Sequence, residues 1–201
     1  MKKLLLLLFV AITTATFAQD KINFEQGNFD FLKDQKEVNV KLVFDNVSFH
    51  EKNLTEAQYI ENRKADISAK KGPAVWDNWM RQWEKYKASE YLEFFLKGIN
   101  KKSKKVYFRN DVNTKYTLII DTKWLYAGWY GGFMGTQPGK LTANLTFVET
   151  DNPSNVVMRL IADKVEGNQG NDDLNWEYGR MAAAYEVTGK KLAKEMNAVV
   201  K

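Results

Sequence analysis

Two strand-like runs joined by an aromatic, glycine-rich loop dominate the hydrophobic pattern between Tyr116 and Thr150. In the first run, Tyr116, Leu118, Ile120, Trp124 and Tyr126 share one parity, while Thr117, Asp121 and Lys123 take the other. The return run, Lys140 to Val148, sets Leu141, Ala143, Leu145 and Phe147 against Thr142, Asn144 and Thr146. A period of two on both sides of a turn predicts a half-buried antiparallel pair. The joining segment, Ala127 to Gly139, interleaves glycines with Trp129, Tyr130, Phe133 and Met134.

The pattern predicts further elements on either side. Asn28 to Leu32 alternates briefly after Gly27 and reads as an edge strand or extended arm, followed by a polar turn from Lys33 to Glu37. Val38, Val40, Leu42 and Phe44 then mark a strand. Thr55, with Gln58 three residues on, forms a capping box that opens a helix running to about Lys70. Gly72 and Pro73 end that helix, and a longer one runs from about Pro73 to Ile99. Its Trp76, Trp79, Met80, Trp83, Tyr86, Phe94, Phe95 and Ile99 make one apolar stripe, read as core rather than as a sugar- or lipid-binding platform. Each indole N–H then needs a partner. The lysine run Lys101 to Lys105, after Gly98, ends the helix with cations that complement its dipole.

Glu149 to Asn155 is a turn by composition. Val156 to Val165 is a strand with apolar residues on both faces, which predicts deeper burial than its neighbours. A polar loop, Gly167 to Asp173, leads to a closing helix from about Asp173 to Val200, with Asp172 and Asp173 as cap residues. Leu174, Tyr178, Met181, Ala182, Tyr185, Leu192 and Met196 form its stripe. The sum is a single α+β domain in the order β-α-α-β-β-β-α. Its sheet is mainly antiparallel or mixed, of about four or five strands, with helices packed on one face.

The first residues change the address. Lys2 and Lys3, the apolar run Leu4 to Ile12, and Thr16-Phe17-Ala18 have the three parts of a signal peptide, Met1 to Ala18, before a domain from Gln19 to Lys201. The apolar run is far shorter than the roughly 20 residues that span a bilayer. The chain has no cysteine, so neither a disulfide nor a lipid-modified cysteine is available. The expectation is an exported, periplasmic or extracellular protein, not a lipoprotein and without a membrane span after cleavage. The formal net charge of +5, lower once Lys2 and Lys3 are removed, is too mild to argue for nucleic acid.

Catalytic chemistry finds little support. Cysteine is absent, no Gly-x-Ser-x-Gly elbow occurs, and His50 is the sole histidine, which argues against nucleophilic triads and zinc sites alike. Asn168 to Asp173 is rich in oxygen ligands but lacks the spacing and distal glutamate of a calcium loop. The loop glycines match neither phosphate-binding fingerprint. Asp121, Asp163 and Glu166 are candidates for paired carboxylates by location only. No cofactor is expected.

Tyr116-Thr117-Leu118-Ile119-Ile120, the glycine–aromatic loop and Phe147-Val148-Glu149-Thr150-Asp151-Asn152-Pro153-Ser154 resemble a family of small uncharacterised bacterial proteins. Leu32 to Lys36, Gly179-Arg180, Ala184-Tyr185 and Gly189 to Leu192 fit the same resemblance, which spans nearly all of the chain after the signal. It implies no activity and no site residues. In element order alone, the chain is loosely similar to envelope auxiliary domains such as the TolB N-terminal domain and the auxiliary lipoproteins of lipid transporters. Those domains use sheet and loops to bind envelope components, although topology alone does not fix function.

The loop is left as the candidate site: Trp124, Gly128, Trp129, Tyr130, Gly132, Phe133 and Met134. Either it folds back over the end of the sheet or it presents its aromatics to a partner. The leading expectation is a non-enzymatic envelope interaction module that binds a partner protein or surface. The alternative is a carrier of a small apolar or carbohydrate ligand, and the third reading is a hydrolase.

Overall fold

Tyr116–Tyr126 and Lys140–Glu149 form the antiparallel pair that the alternation predicts, at the centre of a larger sheet. The computed structural model describes residues 21–131, 135–168 and 176–200. In chain order these contain β1 (Lys21–Gln26), β2 (Glu37–Val43), β3 (Ser48–Phe49), α1 (Glu56–Lys71), α2 (Pro73–Lys85) and α3 (Tyr91–Lys102). There follow β4 (Tyr107–Arg109), β5 (Tyr116–Tyr126), β6 (Trp129–Tyr130), β7 (Thr136–Gln137), β8 (Lys140–Glu149), β9 (Asn152–Glu166) and α4 (Glu177–Val199).

The fold is a single mixed α+β domain. Its sheet has seven strands rather than four or five, because three short strands lie outside the strong alternating runs. The order is β1-β9-β8-β5-β2-β4, with β3 continuing the line of β2 along the same edge of β5. β2 and β3 run parallel to β5, and β2 parallel to β4; the remaining pairs in this sheet are antiparallel.

The core lies between one sheet face and the helices. Leu118, Ile120, Leu141, Ala143, Leu145, Phe147, Met158, Leu160 and Ala162 are buried there with the α4 stripe. The opposite face, carrying Ile119, Asp121, Asn144, Thr146, Arg159 and Ile161, stays half-buried or exposed. β9 is therefore no more deeply buried than β8.

The predicted Pro73–Ile99 helix is one continuous run with a single π turn, Tyr86–Glu90, between α2 and α3. The buried positions show why. Trp79, Trp83 and Tyr86 are spaced by three and four, and the next buried ring, Tyr91, comes five residues later. A π turn absorbs that step and returns Tyr91, Phe95 and Ile99 to the core side. Tyr91 was missing from the stripe read in the sequence.

The capping box at Thr55 and Gln58 is present in both directions, and Pro73 occupies the first turn of α2. The indole N–H groups find carboxylates: Trp79 Nε1 donates to Glu177 at 3.0 Å and Trp83 Nε1 to Glu56 at 2.9 Å.

Two other expectations are corrected. Phe29–Leu32 is a 3₁₀ turn, not a strand, because the Asn28 side chain accepts from the Asp30 N–H and caps it. The lysine run ends α3 at Lys102 as expected, and Gly98 lies inside α3 against Gly189 of α4, where a Cβ on either would fall on the other helix's backbone. The closing helix begins at Glu177 with Trp176 at its N-cap, while Asp172, Asp173 and Leu174 fall outside the described residues. No helix among the described residues is long and apolar enough to cross a membrane.

Candidate functional site

The alternation of β5 changes phase at Lys123. Tyr116, Leu118, Ile120 and Thr122 face the helices, and the Thr122 hydroxyl bonds the Tyr185 hydroxyl at 2.7 Å. Thr122 pairs with Ala143, but the next paired residue, Trp124, meets Thr142, so Lys123 is an inserted bulge residue. From there Leu125 and Ala127 turn into the core, while Trp124 and Tyr126 move to the open face. The expectation that these two aromatics share the core face with Leu118 is thus overturned, since one inserted residue reverses every later side chain.

β9 carries an irregularity at the same level. Leu141 pairs with Val165 and Ala143 with Ala162, leaving Asp163 and Lys164 opposite Thr142 alone. The Lys164 N–H donates to the Thr142 hydroxyl at 3.1 Å, and Lys164 has φ of 47°. Its ammonium lies 5.8 Å from the centre of the Trp124 ring. Among the described residues, five non-glycine positions have positive φ. Four are Asn46, His50, Asn53 and Asp111, of types enriched there; the fifth is Lys164, which lines a cleft at this end of the sheet. Strain of this kind persists where surrounding structure enforces it, and it concentrates at sites.

The two irregularities shape a cleft of about 620 Å³ on the open face, with Trp124 and Tyr126 lining it. Their rings are nearly parallel, 8° apart, with centres 6.1 Å apart. Trp124 Nε1 donates to the His50 carbonyl at 2.8 Å and the Tyr126 hydroxyl to Gln137 at 2.6 Å, which fixes both rings. Ser48, Asn53, Gln137 and Thr142 supply neutral hydrogen-bonding groups around them, and Glu51, Asp163, Lys123 and Lys140 supply charged ones. Of the three carboxylates singled out from the sequence, only Asp163 lines the cleft. Asp121 is paired with Lys123 at 2.6 Å and Glu166 with Lys140 at 2.7 Å.

A smaller cavity of about 270 Å³, lined in part by His50, lies at the start of α4. His50 stacks on Tyr59 at 5.3 Å and meets the edge of Tyr126 at 5.2 Å, so its ring touches an aromatic residue of each depression. Burial lowers the His50 pKa, against the opposing pull of Glu177. Glu177, 5% exposed, takes a two-pronged contact from the Arg63 guanidinium, whose other branch reaches Asp66 at 2.9 Å. Burial acts to lower the Arg63 pKa, but Glu177 outweighs it and holds the guanidinium charged. Arg180 is also buried, and its Nε donates to the Ala127 carbonyl at 2.7 Å.

The glycine–aromatic loop divides into two parts. Its ends are sealed down: Ala127 and Gly139 are buried, and Gly128, with φ of 62°, passes so close to Gln137 and Pro138 that a Cβ would strike their backbone. Trp129 and Tyr130 form β6, which pairs with β7, and they are 46% and 51% exposed. Gly132, Phe133 and Met134 lie outside the described residues. Covering and display are therefore both present, in different residues of one loop.

Sequence reasoning placed Trp124 and the loop but missed Tyr59, Arg63, Glu177, Arg180 and the part played by Tyr126. One signal was available. Glu177 and Arg180 interrupt an otherwise uncharged stretch, Trp176 to Tyr185, and a charge on the buried side of a helix calls for a partner. Among the described residues no group of three or more His, Asp or Glu side chains is placed to hold a metal ion. Of the candidate calcium loop, only Asn168 is described. Comparison with known proteins gives no significant match to a family model, a curated protein or a solved structure.

Proposed function

We propose that this is a non-enzymatic, exported binding protein whose ligand is a neutral saccharide held against Trp124 and Tyr126. The observation that carries the reading is the pair of bulges at Lys123 and Lys164, which bring two aromatic rings out of the core onto the floor of a polar-walled cleft. A sugar ring has an apolar C–H face and a rim of hydroxyls. Fixed aromatic faces suit the first, and interleaved donors and acceptors suit the second. A purely apolar ligand would displace water from those polar walls without replacing its hydrogen bonds, which loses affinity. The cleft volume falls within the roughly 300–1,000 Å³ common for small-molecule sites.

The test is isothermal titration of the protein with short neutral oligosaccharides of glucose, N-acetylglucosamine, mannose and galactose, with nucleosides as flat heteroaromatic controls. At least one saccharide should bind saturably, and Trp124→Ala should weaken it at least about tenfold, equivalent to about 1.4 kcal/mol. Binding of nucleosides alone, or equal saccharide binding by Trp124→Ala, would overturn the reading.

A second reading rests on a separate observation. Trp129 and Tyr130 are adjacent, exposed and held on a paired hairpin, as a contact for an envelope protein or surface would be. Crosslinking from position 130 in intact cells should capture one dominant partner if that reading holds, and should capture nothing specific if it does not.

A further inference from the structure

We propose that the end of the domain where α3 and α4 both finish is a docking surface for an anionic phospholipid bilayer. The inference is independent of the saccharide reading. The two helices lie side by side and run the same way. The Tyr91 hydroxyl lies 3.6 Å from Met181 Sδ, Gly98 packs on Gly189, and the Asn197 side chain donates to the Lys102 carbonyl at 2.8 Å. Their C-termini therefore meet at one end. Tyr107, which opens β4, donates its N–H to the Lys36 carbonyl at 2.8 Å and so brings Lys36 to the same end. Six exposed lysines gather there: Lys36, Lys101, Lys102, Lys104, Lys105 and Lys194. None of them is ion-paired with another described residue. Asp34, Glu37 and Glu195 are interspersed with them along the chain, and Glu37 is already paired with Arg109 at 3.3 Å.

Helix dipoles account for only part of this charge. Lys101 and Lys102 lie in the last turn of α3, where cations are favoured, but the other four lie outside the last turn of either helix. The second, separate observation is apolar. Tyr107 is 54% exposed and Val199 is 36% exposed, two of the five large hydrophobic side chains left exposed among the described residues. Solubility calls for the lysines but not for these two. A phenol ring with a polar tip suits the headgroup level of a bilayer. Lysine is a compact, hydrated point charge that answers a diffuse negative field, whereas a discrete carboxylate on a protein partner is better held by the arginine fork. The surface is also held in shape. Asn197 accepts from the Lys104 N–H at 3.3 Å, and the Asn100 amide both donates to and accepts from the Phe108 backbone, at 2.8 Å each. Gly139, beside the saccharide cleft, packs on Arg180, roughly 30 Å along α4 from Val199, so docking leaves the cleft clear of the bilayer.

The experiment uses the exported form, Gln19 to Lys201, so that the apolar run Leu4 to Ile12 contributes nothing. It is sedimented with vesicles of phosphatidylcholine, alone or with a one-third share of phosphatidylglycerol, and passed over immobilised heparin as a polyanion without a bilayer. The protein should sediment with the phosphatidylglycerol vesicles and not with phosphatidylcholine alone, and rising salt should release it. The combined variant Lys101→Gln, Lys102→Gln, Lys104→Gln and Lys105→Gln changes only exposed side chains, so its thermal melt should match the parent's. It should bind at least about a hundredfold more weakly. Four exposed lysines removed elsewhere, by Lys21→Gln, Lys41→Gln, Lys52→Gln and Lys64→Gln, should cost about tenfold or less. Tyr107→Ser should weaken binding about fivefold. Equal losses in the two lysine variants, unchanged affinity in Tyr107→Ser, or equal binding to phosphatidylcholine alone would overturn the proposal. So would retention on heparin without vesicle binding, or no binding at all.

Discussion

The two halves of β5 belong to one strand and have opposite fates. From Tyr116 to Thr122 the even positions face the helices, each against a partner on β8 that repeats the same period. After Lys123 the odd positions take over, and the two largest side chains, Trp124 and Tyr126, leave the core for a cleft. The first half obeys hydrophobic burial. The second spends an inserted residue to set aromatic area beside polar groups, an arrangement that folding alone does not require. The difference teaches that a hydrophobic residue's parity locates it only as far as the next bulge.

That contrast can be broken from either side. The largest effect belongs to the core half, where Leu118→Ala should cost about 3–5 kcal/mol, read as a fall in the denaturation midpoint. Trp124→Ala should cost markedly less stability while removing ligand affinity.

Deleting Lys123 attacks the phase change itself. It would drive Trp124 and Tyr126 toward the core and expel Leu125 and Ala127, at a cost of roughly 2–4 kcal/mol. Denaturant titration of the deletion variant checks this. Stability equal to that of the parent would mean that the bulge is not what sets the side-chain facing.

Glu177→Ala follows. It leaves Arg63 with Asp66 and strips Trp79 of its acceptor, for a loss of about 2–3 kcal/mol, toward the lower side because Arg63 is partly exposed.

The smallest effect is at His50. Its folded pKa lies below the ordinary 6.5, so below that pH the unfolded chain binds the proton more readily than the folded one. Stability should therefore be unaffected by this group above pH 6.5 and decline as pH falls from there toward its folded pKa. In His50→Gln that part of the acid sensitivity should be absent from thermal melts recorded across the range.

Much of the fold was legible because the relevant signals are local. The capping box at Thr55, proline at the start of α2, and the alternation of β2, β5 and β8 each depend on residues within one element. The features that were not legible depend on distant partners. Nothing near Lys123 marks a bulge, because the bulge follows from its register against β8 and from the irregular Asp163–Lys164 step beyond it. Why glycine stands at Gly98 inside α3 is visible only once Gly189 of α4 is seen against it. Trp124 was placed in the candidate site, but on the wrong face. Arg63 and Glu177 lie 114 positions apart, and no spacing rule links them. The five-residue step from Tyr86 to Tyr91 was readable, since it is a local break in the stripe.

The most direct measurement is an NMR titration of the indole N–H resonances with a saccharide that binds. The account predicts that Trp124 Nε1–H shifts progressively to saturation while Trp79 and Trp83, held in the core, stay fixed. A saturable shift at Trp129 with Trp124 unmoved would contradict it, and would move the site from the bulged strand to the hairpin.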